Sequence, residues 1–165
     1  MRRKDREMDE IFALGIADKC EYAVLSMTDT GGAPYCVPIS IARDGRDIFF
    51  HCAREGKKID AMRRAPEVCI ACVGDTRPAV DKFTTEFESA IIRGRAEEIL
   101  EDTQKIHALR LLCQRHTPAN MHNFDAAARK SLARTAVWRV PIREITGKRK
   151  KYDSQGKEMK FGRTE

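Results

Sequence analysis

The sequence has no apolar run approaching the roughly 20 residues that cross a bilayer as a helix. Its basic start, residues 1–5, leads into no apolar signal segment. The glycine-rich fingerprints of phosphate-loop ATPases and of dinucleotide-binding Rossmann domains, G-x-x-x-x-G-K-[ST] and G-x-G-x-x-G, are also missing. We therefore expect a cytoplasmic protein that belongs to neither of those enzyme classes.

Composition favours one globular domain, because 42% of the 165 residues are hydrophobic and 34% are charged. No internal repeat or linker interrupts the chain, so we predict a single domain over residues 1–147 and a basic tail over residues 148–165. The tail holds seven Lys or Arg against three acids, a net charge of +4, which leaves about +2 of the total +6 for the rest. A solvated tail explains this charge better than a nucleic-acid footprint does, so we expect no nucleic-acid partner.

The six cysteines lie mainly inside apolar runs, which favours buried, reduced thiols over disulfides. Cys69-x2-Cys72 and Cys113-x2-His116 have the spacing of a Cys3His zinc site. However, the first pair stands within a strand-like run, residues 68–73, where positions three apart point to opposite faces. We therefore predict small buried side chains here and no metal site.

Hydrophobic periodicity predicts an α+β, mainly β, protein with antiparallel strands. The predicted helices cover residues 5–17, 59–65, 102–114 and 123–134, and the predicted strands cover residues 20–28, 34–41, 48–52, 68–73, 83–99 and 135–145. Residues 74–78 read as a loop. Pro38 indicates an edge strand or a bulge, and Gly94 indicates a bulge. Because no βαβ alternation is present, an antiparallel barrel is favoured over a Rossmann sheet.

Residues 49–60, FFHCAREGKKID, concentrate side chains that can carry chemistry. A predicted strand ends at His51 and Cys52, and Lys57 and Lys58 follow a glycine-containing loop at the start of a predicted helix. The unpaired N–H groups and the dipole of a helix start favour an anion. Two lysines destabilise that position unless an anion offsets them, so the pattern indicates a bound phosphate or carboxylate. The alternative is a pair of solvated surface lysines.

Six short segments along the chain form a recognisable combination. They are GAPYCVPIS at 32–40, FFHCA at 49–53, GKKID at 56–60, PEVC at 66–69, IIRGRA at 91–96 and ITGKR at 145–149. Together they resemble the flavin-binding core of the pyridoxamine 5'-phosphate oxidase-like superfamily, and within it the nitroimidazole-resistance (Nim-type) branch. The resemblance extends over residues 5–150.

The resemblance implies a six-stranded antiparallel FMN-binding split barrel with flanking helices, forming a homodimer with FMN at the subunit interface. Lys57 and Lys58 would hold the FMN phosphate. The oxidases have an arginine–lysine pair at this place, so the charge is kept while the bidentate guanidinium fork is lost. His51 and Cys52 would contact the ribityl chain and the phosphate.

Further site residues follow from the same resemblance. The strand containing Val37, Pro38, Ile39 and Ser40 would run along the isoalloxazine ring and offer backbone groups to its polar edge. His51 matches a histidine that lies beside the flavin in the Nim-type branch. It is therefore the candidate catalytic residue, donating a proton or orienting the substrate, with plain cofactor binding as the alternative.

The function implied is that of an FMN-dependent oxidoreductase, passing electrons from NAD(P)H or another donor to a small-molecule acceptor. Residues 157–165 do not match the basic, aromatic C-terminal segment with which true pyridoxamine phosphate oxidases grip their substrate, so vitamin B6 oxidation is not expected. Two alternatives stay open. One is a flavin or haem carrier or sensor without turnover, and the other is a zinc-stabilised or basic module that binds nucleic acid.

Overall fold

A computed structural model describes residues 2–162. Four α-helices and nine strands make up the fold. The helices are α1 (Glu10–Lys19), α2 (Lys57–Arg64), α3 (Asp102–His116) and α4 (Phe124–Ser131), and the strands are β1 (Glu7–Met8), β2 (Ala23–Thr28), β3 (Pro34–Ile39), β4 (Ala42–Asp44), β5 (Asp47–Ala53), β6 (Glu67–Pro78), β7 (Thr85–Arg95), β8 (Glu97–Ile99) and β9 (Thr135–Lys150).

Hydrogen-bonded strands follow the order β3-β2-β6-β7-β9-β5-β4, and all pairs between them are antiparallel. The two ends of this path, β3 and β4, are consecutive in the chain and are separated only by Ser40 and Ile41. A sheet whose first and last strands are so tightly linked has to curl until its ends meet. The result is a barrel with an open seam between β3 and β4, a split barrel.

The long strand β9 connects the two halves of the barrel. One of its edges pairs with β8 and then β7, and the other edge pairs with β5 and then β1. Near the end of β7, the register of its pairing with β9 shifts by one residue between Arg93 and Gly94, and Arg143 is the extra residue on β9. This β-bulge bends the strand pair. It confirms the bulge predicted at Gly94.

Two hydrophobic cores lie on opposite faces of β5. Phe50 packs into the main core, which α1 and α2 cover together with the inner faces of β2, β6 and β7. Phe49 packs into a second core with Leu109 of α3, Phe124 of α4 and Val137 of β9. Adjacent residues of a strand point to opposite faces, so the Phe49-Phe50 dipeptide anchors β5 from both sides.

The predicted fold class is confirmed, with differences in strand count and in boundaries. Nine strands are present instead of six. The strands β1 and β4 are short segments of two and three residues that carry little hydrophobic pattern, and β7 and β8 together replace the single strand predicted over residues 83–99. The first helix begins at Glu10, since Asp9 caps it by accepting a hydrogen bond from the Phe12 N–H at 2.8 Å. Residues 74–78, predicted as a loop, continue β6.

The basic segment after Gly147 also differs from a detached tail. β9 runs on to Lys150, and Tyr152 forms an isolated β-bridge with Glu158. The Phe161 N–H donates to the carbonyl of Asp5 at 3.0 Å. Residues 151–162 are thus docked on the N-terminal segment.

No helix within residues 2–162 is both long enough and apolar enough to cross a membrane.

We expect the docked C-terminal segment to detach in acid. Arg6 hydrogen-bonds the Glu158 carboxylate at 2.7 Å and lowers its pKa from 4.5 to about 2. Because this pKa is lower in the folded state, the pairing stabilises docking fully above pH 4.5 and is lost as the pH falls toward 2. Hydrogen–deuterium exchange at Met159 and Phe161, corrected for the intrinsic rate, should therefore rise over that interval. Glu158→Gln should raise it already at neutral pH, and unchanged protection in the variant would contradict this account.

Candidate functional site

The start of α2 is built to leave its backbone donors open. Gly56 stands at the N-cap position with φ at +117°, a conformation that side chains on L-residues rarely adopt. No side chain caps the helix there. A Cβ added at Gly56 would meet nothing within 4 Å, so the space in front of the helix start is open. The Ile59 N–H donates to the Gly56 carbonyl at 2.8 Å, so the first turn presents the N–H groups of Lys57 and Lys58 and the positive end of the helix dipole to this space.

Lys57 is held against the β2–β3 hairpin. Its Nζ lies 3.0 Å from an Asp29 carboxylate oxygen and 4.7 Å from the centre of the Tyr35 ring. This ion pair lowers the pKa of Asp29. Asp29 also accepts hydrogen bonds from the N–H groups of Gly31 and Ala33, so its carboxylate is fixed by the turn. Lys57 is therefore partly neutralised in place.

Lys58 and His51 form the electrostatic centre of the site. Lys58 is half-buried and has no carboxylate partner within 4.0 Å among residues 2–162. By strand alternation His51 shares the face of Phe49, on which α3 packs. Part of the imidazole reaches solvent, yet the protein packed around it, the charge of Lys58 and nearby His116 lower the pKa of His51 below 6.5. His51 is therefore mainly neutral at pH 7, with one ring nitrogen as donor and one as acceptor.

Cys52 points to the opposite face of β5. Burial raises the pKa of its thiol, against the effect of Lys58, so it is uncharged at neutral pH. The buried indole of Trp138 lies beside this thiol. Its Nε1 has no hydrogen-bond partner of normal geometry among residues 2–162. Cys52 is placed to pack or to accept a hydrogen bond, and an uncharged thiol is a weak nucleophile.

The β3 strand lies at one end of the sheet path, so one of its edges is unpaired in the described chain. This confirms the edge position predicted from Pro38. Val37 and Ile39 point into the main core, whereas Pro38 and Ser40 are exposed. The backbone edge of this strand, and not its apolar side chains, is therefore what a ligand can reach.

The structure thus places Lys58 where its charge acts on His51, holds Lys57 against the β2–β3 hairpin, and places Cys52 on the far face of β5. Sequence reasoning missed His116 and Asp29. His116 approaches from the end of α3, where its Nε2 lies 2.8 Å from the Ile41 carbonyl oxygen. Its place in space depends on how α3 packs, for which its spacing in the sequence gives no signal. The Asp-Thr-Gly-Gly sequence at 29–32 is typical of a turn, but it gives no signal that this turn lies beside α2.

The two cysteines of the Cys69-x2-Cys72 pair lie in one strand and point to opposite faces of it. Cys69 and Cys72 are both in β6, with Cys72 buried in the main core and Cys69 only half-buried on the other face. Cys113 and His116 belong to α3, and His116 is bonded to a backbone carbonyl.

Removing the charge of Lys58 should raise the pKa of His51. In Lys58→Gln, a neutral neighbour replaces a cation that disfavours the imidazolium, so the titration midpoint should move up toward 6.5. Proton–nitrogen correlation spectra of the four histidines would measure it. His122, which is exposed after α3, serves as the internal reference and should not move. An unchanged His51 midpoint would show that Lys58 does not act on it.

Fold and site together define a split-barrel protein with a cationic, uncapped helix start beside a histidine and an open strand edge. The sequence profile of the pyridoxamine 5'-phosphate oxidase family matches residues 13–149. The chain belongs to this family. A search of the curated proteins finds no match to the sequence.

Solved structures give the same picture. A candidate 5-nitroimidazole antibiotic resistance protein from Bacteroides thetaiotaomicron is 28% identical with a TM-score of 0.73, over 86% of this chain and 85% of that one. A flavocytochrome from Azotobacter vinelandii is 19% identical with a TM-score of 0.74, over 94% and 79%. An FAD- and haem-binding protein from Mycobacterium smegmatis is 20% identical with a TM-score of 0.74, over 88% and 73%. The last two similarities concern the fold.

Proposed function

We propose that this protein binds FMN and acts as an FMN-dependent oxidoreductase that reduces a small acceptor. The observation that carries the proposal is the start of α2, where open backbone donors and two lysines stand next to His51 at the end of β5. Family membership supports a flavin as the ligand, and the similarity to the nitroimidazole resistance protein supports a nitro compound as the small acceptor.

The residues present fit a phosphate at this place. The N–H groups of the first turn of α2 and the Lys58 ammonium would bind it, and Lys57 would add charge from its position beside Asp29. His51, mainly neutral, would donate one further hydrogen bond to a phosphate or ribityl oxygen. A dianionic phosphate would then raise the pKa of this histidine.

The isoalloxazine ring would lie along the open edge of β3, where the backbone of Val37, Ile39 and Ser40 faces its polar edge. A bound flavin supplies the redox chemistry, and the protein supplies position and electrostatics. As a catalytic residue, His51 would hold or donate a proton beside the acceptor. His51 can donate a proton only in its protonated form. Because its pKa is lowered, a nearby anion has to raise that pKa before this form is well populated near pH 7.

We also propose a homodimer that completes this site. The outer face of the β2–β6–β7 sheet, opposite to the main core, carries Val24, Ala71, Val73 and Ile91, of which Val73 is 51% exposed. An apolar sheet face of this kind favours burial against a second copy.

The six cysteines are all free thiols, which supports a place in the reducing cytoplasm.

A second candidate function is a carrier or sensor that binds flavin or haem without turnover. A neutral imidazole is the form that ligates iron, and the lowered pKa of His51 favours that form. The flavocytochrome and the FAD- and haem-binding protein share this fold.

An absorbance spectrum of the purified protein, followed by release and mass identification of the chromophore, tests the proposal. FMN is expected, with the paired visible bands of a flavin. Released FAD or deazaflavin would correct the cofactor, and a single intense haem band would favour the second candidate. A colourless protein that takes up neither added FMN nor added haem would refute both.

Turnover separates an enzyme from a carrier. The FMN-loaded protein is expected to oxidise NADH or NADPH in the presence of a small acceptor such as a nitroaromatic compound, and His51→Ala should slow acceptor reduction more than it weakens FMN binding. Tight FMN binding with no turnover for any donor and acceptor pair would identify a carrier.

A further inference from the structure

A second cleft lies far from α2, between the distal end of the β6–β7 ribbon and the docked C-terminal segment. It consists of two adjoining hollows of about 200 Å³ and about 280 Å³, both lined by Arg77 and Glu86. Together they fall within the roughly 300–1,000 Å³ of small-molecule sites. From Glu67 at the α2 end of β6 to Arg77 is roughly 30 Å along the strand. The cleft is thus separate from the proposed flavin site of the same chain.

Three of the four acidic side chains that line this cleft are paired with cations, whereas Asp153 only accepts the backbone N–H groups of its own turn, those of Gln155 and Lys157. Asp75 pairs with Lys19 at 2.9 Å. Glu86 is buried, pairs with Arg77, and accepts the Tyr152 backbone N–H at 2.8 Å. Glu88 is buried as well and pairs with Arg149 at 3.1 Å, and also with Lys19. Asp153 is therefore the one acidic side chain of the described lining that is not paired with a cation.

Three lysines at the cleft keep their charge without a carboxylate partner within 4.0 Å in the described chain. They are Lys82 in the β6–β7 turn, Lys150 at the end of β9, and Lys151, the next residue. Lys150 donates to the hydroxyl of Thr84. Lys82 and Lys150 reach the same ring, that of Tyr152, from two chain segments, and Lys151 lines the same hollow as Lys150. The charges of these three lysines have to be offset by an anion or by solvent.

An aromatic ring lies among these ammonium groups. The centre of the half-buried Tyr152 ring is 4.9 Å from the Lys82 Nζ and 5.6 Å from the Lys150 Nζ. The ring is held in place, because its backbone N–H is bonded to Glu86 and its residue bridges to Glu158. Both ammonium groups lie over this ring, so phosphates that bind them would leave the flat surface of Tyr152 to a planar group of the same ligand.

We propose that this cleft binds a small nucleoside phosphate, with its phosphates on Lys82, Lys150 and Lys151 and its base against Tyr152. Binding here does not depend on the flavin proposal, since none of these residues belongs to the α2 site. The basic C-terminal segment would then contribute Lys151 and Tyr152 to a binding site, and would not serve only as a solvated tail.

Isothermal titration calorimetry with ADP, adenosine and pyrophosphate on the full chain, with and without added FMN, tests this. ADP is expected to bind at least about tenfold more tightly than adenosine, because charge-assisted contacts act only on its phosphates. It should also bind more tightly than pyrophosphate, which lacks a base. Lys82→Ala/Lys151→Ala should weaken ADP binding about tenfold, and Tyr152→Leu should reduce the advantage of ADP over pyrophosphate. Circular dichroism would verify that each variant is folded.

Matched controls locate the binding. Lys130→Ala, at an exposed position on α4, and Lys58→Ala, at the α2 site, should both leave ADP binding unchanged. Absence of ADP binding at millimolar concentration would overturn the proposal, as would ADP binding that Lys58→Ala removes or that FMN displaces. So would a single-stranded oligonucleotide that binds the cleft far more tightly than ADP, since the surface would then serve nucleic acid. Failure of the flavin proposal would show instead as FMN that does not bind while ADP does.

Discussion

Replacing both Lys57 and Lys58 with alanine is expected to weaken FMN binding by at least about tenfold and to leave riboflavin binding nearly unchanged. The two ligands differ only in the phosphate, and charge-assisted hydrogen bonds to it contribute about 1.5–3 kcal/mol each. Fluorescence titration of the unloaded protein with each flavin measures the difference.

The two lysines should not contribute equally. Lys57 is paired with Asp29 and its side chain is 57% exposed, so its contribution belongs at the low end of that range. Lys58 is half-buried and has no carboxylate partner in the described chain. Lys58→Ala alone should therefore account for most of the loss. Lys130→Ala, which removes an exposed lysine from α4, should have no effect.

Two outcomes would contradict the phosphate assignment. If the double variant lost FMN and riboflavin to the same degree, the lysines would support the fold of the site and would not bind phosphate. If Lys57→Ala were the more damaging of the single variants, the ion pair with Asp29 would have to open when the cofactor binds.

Gly94→Ala is expected to destabilise the fold by at least about 1–3 kcal/mol, the usual cost of forcing extra atoms into a packed region. A Cβ at this position would lie 2.3 Å from the Pro141 carbonyl oxygen and 2.7 Å from a methyl group of Val140. The backbone of β9 would have to move at the bulge. Thermal unfolding monitored by circular dichroism should show a midpoint lowered by several degrees.

The same substitution elsewhere provides the control. Gly15 lies in α1, is exposed, and has no atom within 4 Å of an added Cβ. Gly15→Ala should stabilise the protein by roughly 0.5–1 kcal/mol, because alanine is the better helix former. If Gly94→Ala did not lower the thermal midpoint, the backbone of β9 would be able to move at the bulge without a loss of stability, and the packing argument would be wrong.

Sequence reasoning predicted those parts of the fold in which hydrophobic period and turn chemistry agree. β2, β3 and β5, with their glycine-containing turns, lie close to their predicted positions, and the edge strand and the bulge follow from Pro38 and Gly94. The continuation of β6 through residues 74–78 could not be predicted, because Gly74 and Pro78 are typical of loops. Pairing with β7 outweighs that local preference.

The candidate site was inferred from the same kind of local pattern. Lys57, Lys58 and His51 are close together in sequence, and the structure places Lys58 where its charge acts on His51. Asp29 and His116 come to the site from a distant hairpin and a distant helix. Their proximity depends on tertiary packing, which no local pattern reports.

The position of β9 has a consequence for how the chain is made. Four strands pair with β9, namely β1, β5, β7 and β8. The ribosome synthesises all four before it synthesises β9 itself, residues 135–150. Until this strand emerges, the nascent chain exposes the unpaired edges of β5 and β7 and the apolar faces that β9 later covers. The barrel therefore cannot close before residue 150 has left the ribosome, and until then the exposed edges and apolar faces are open to aggregation.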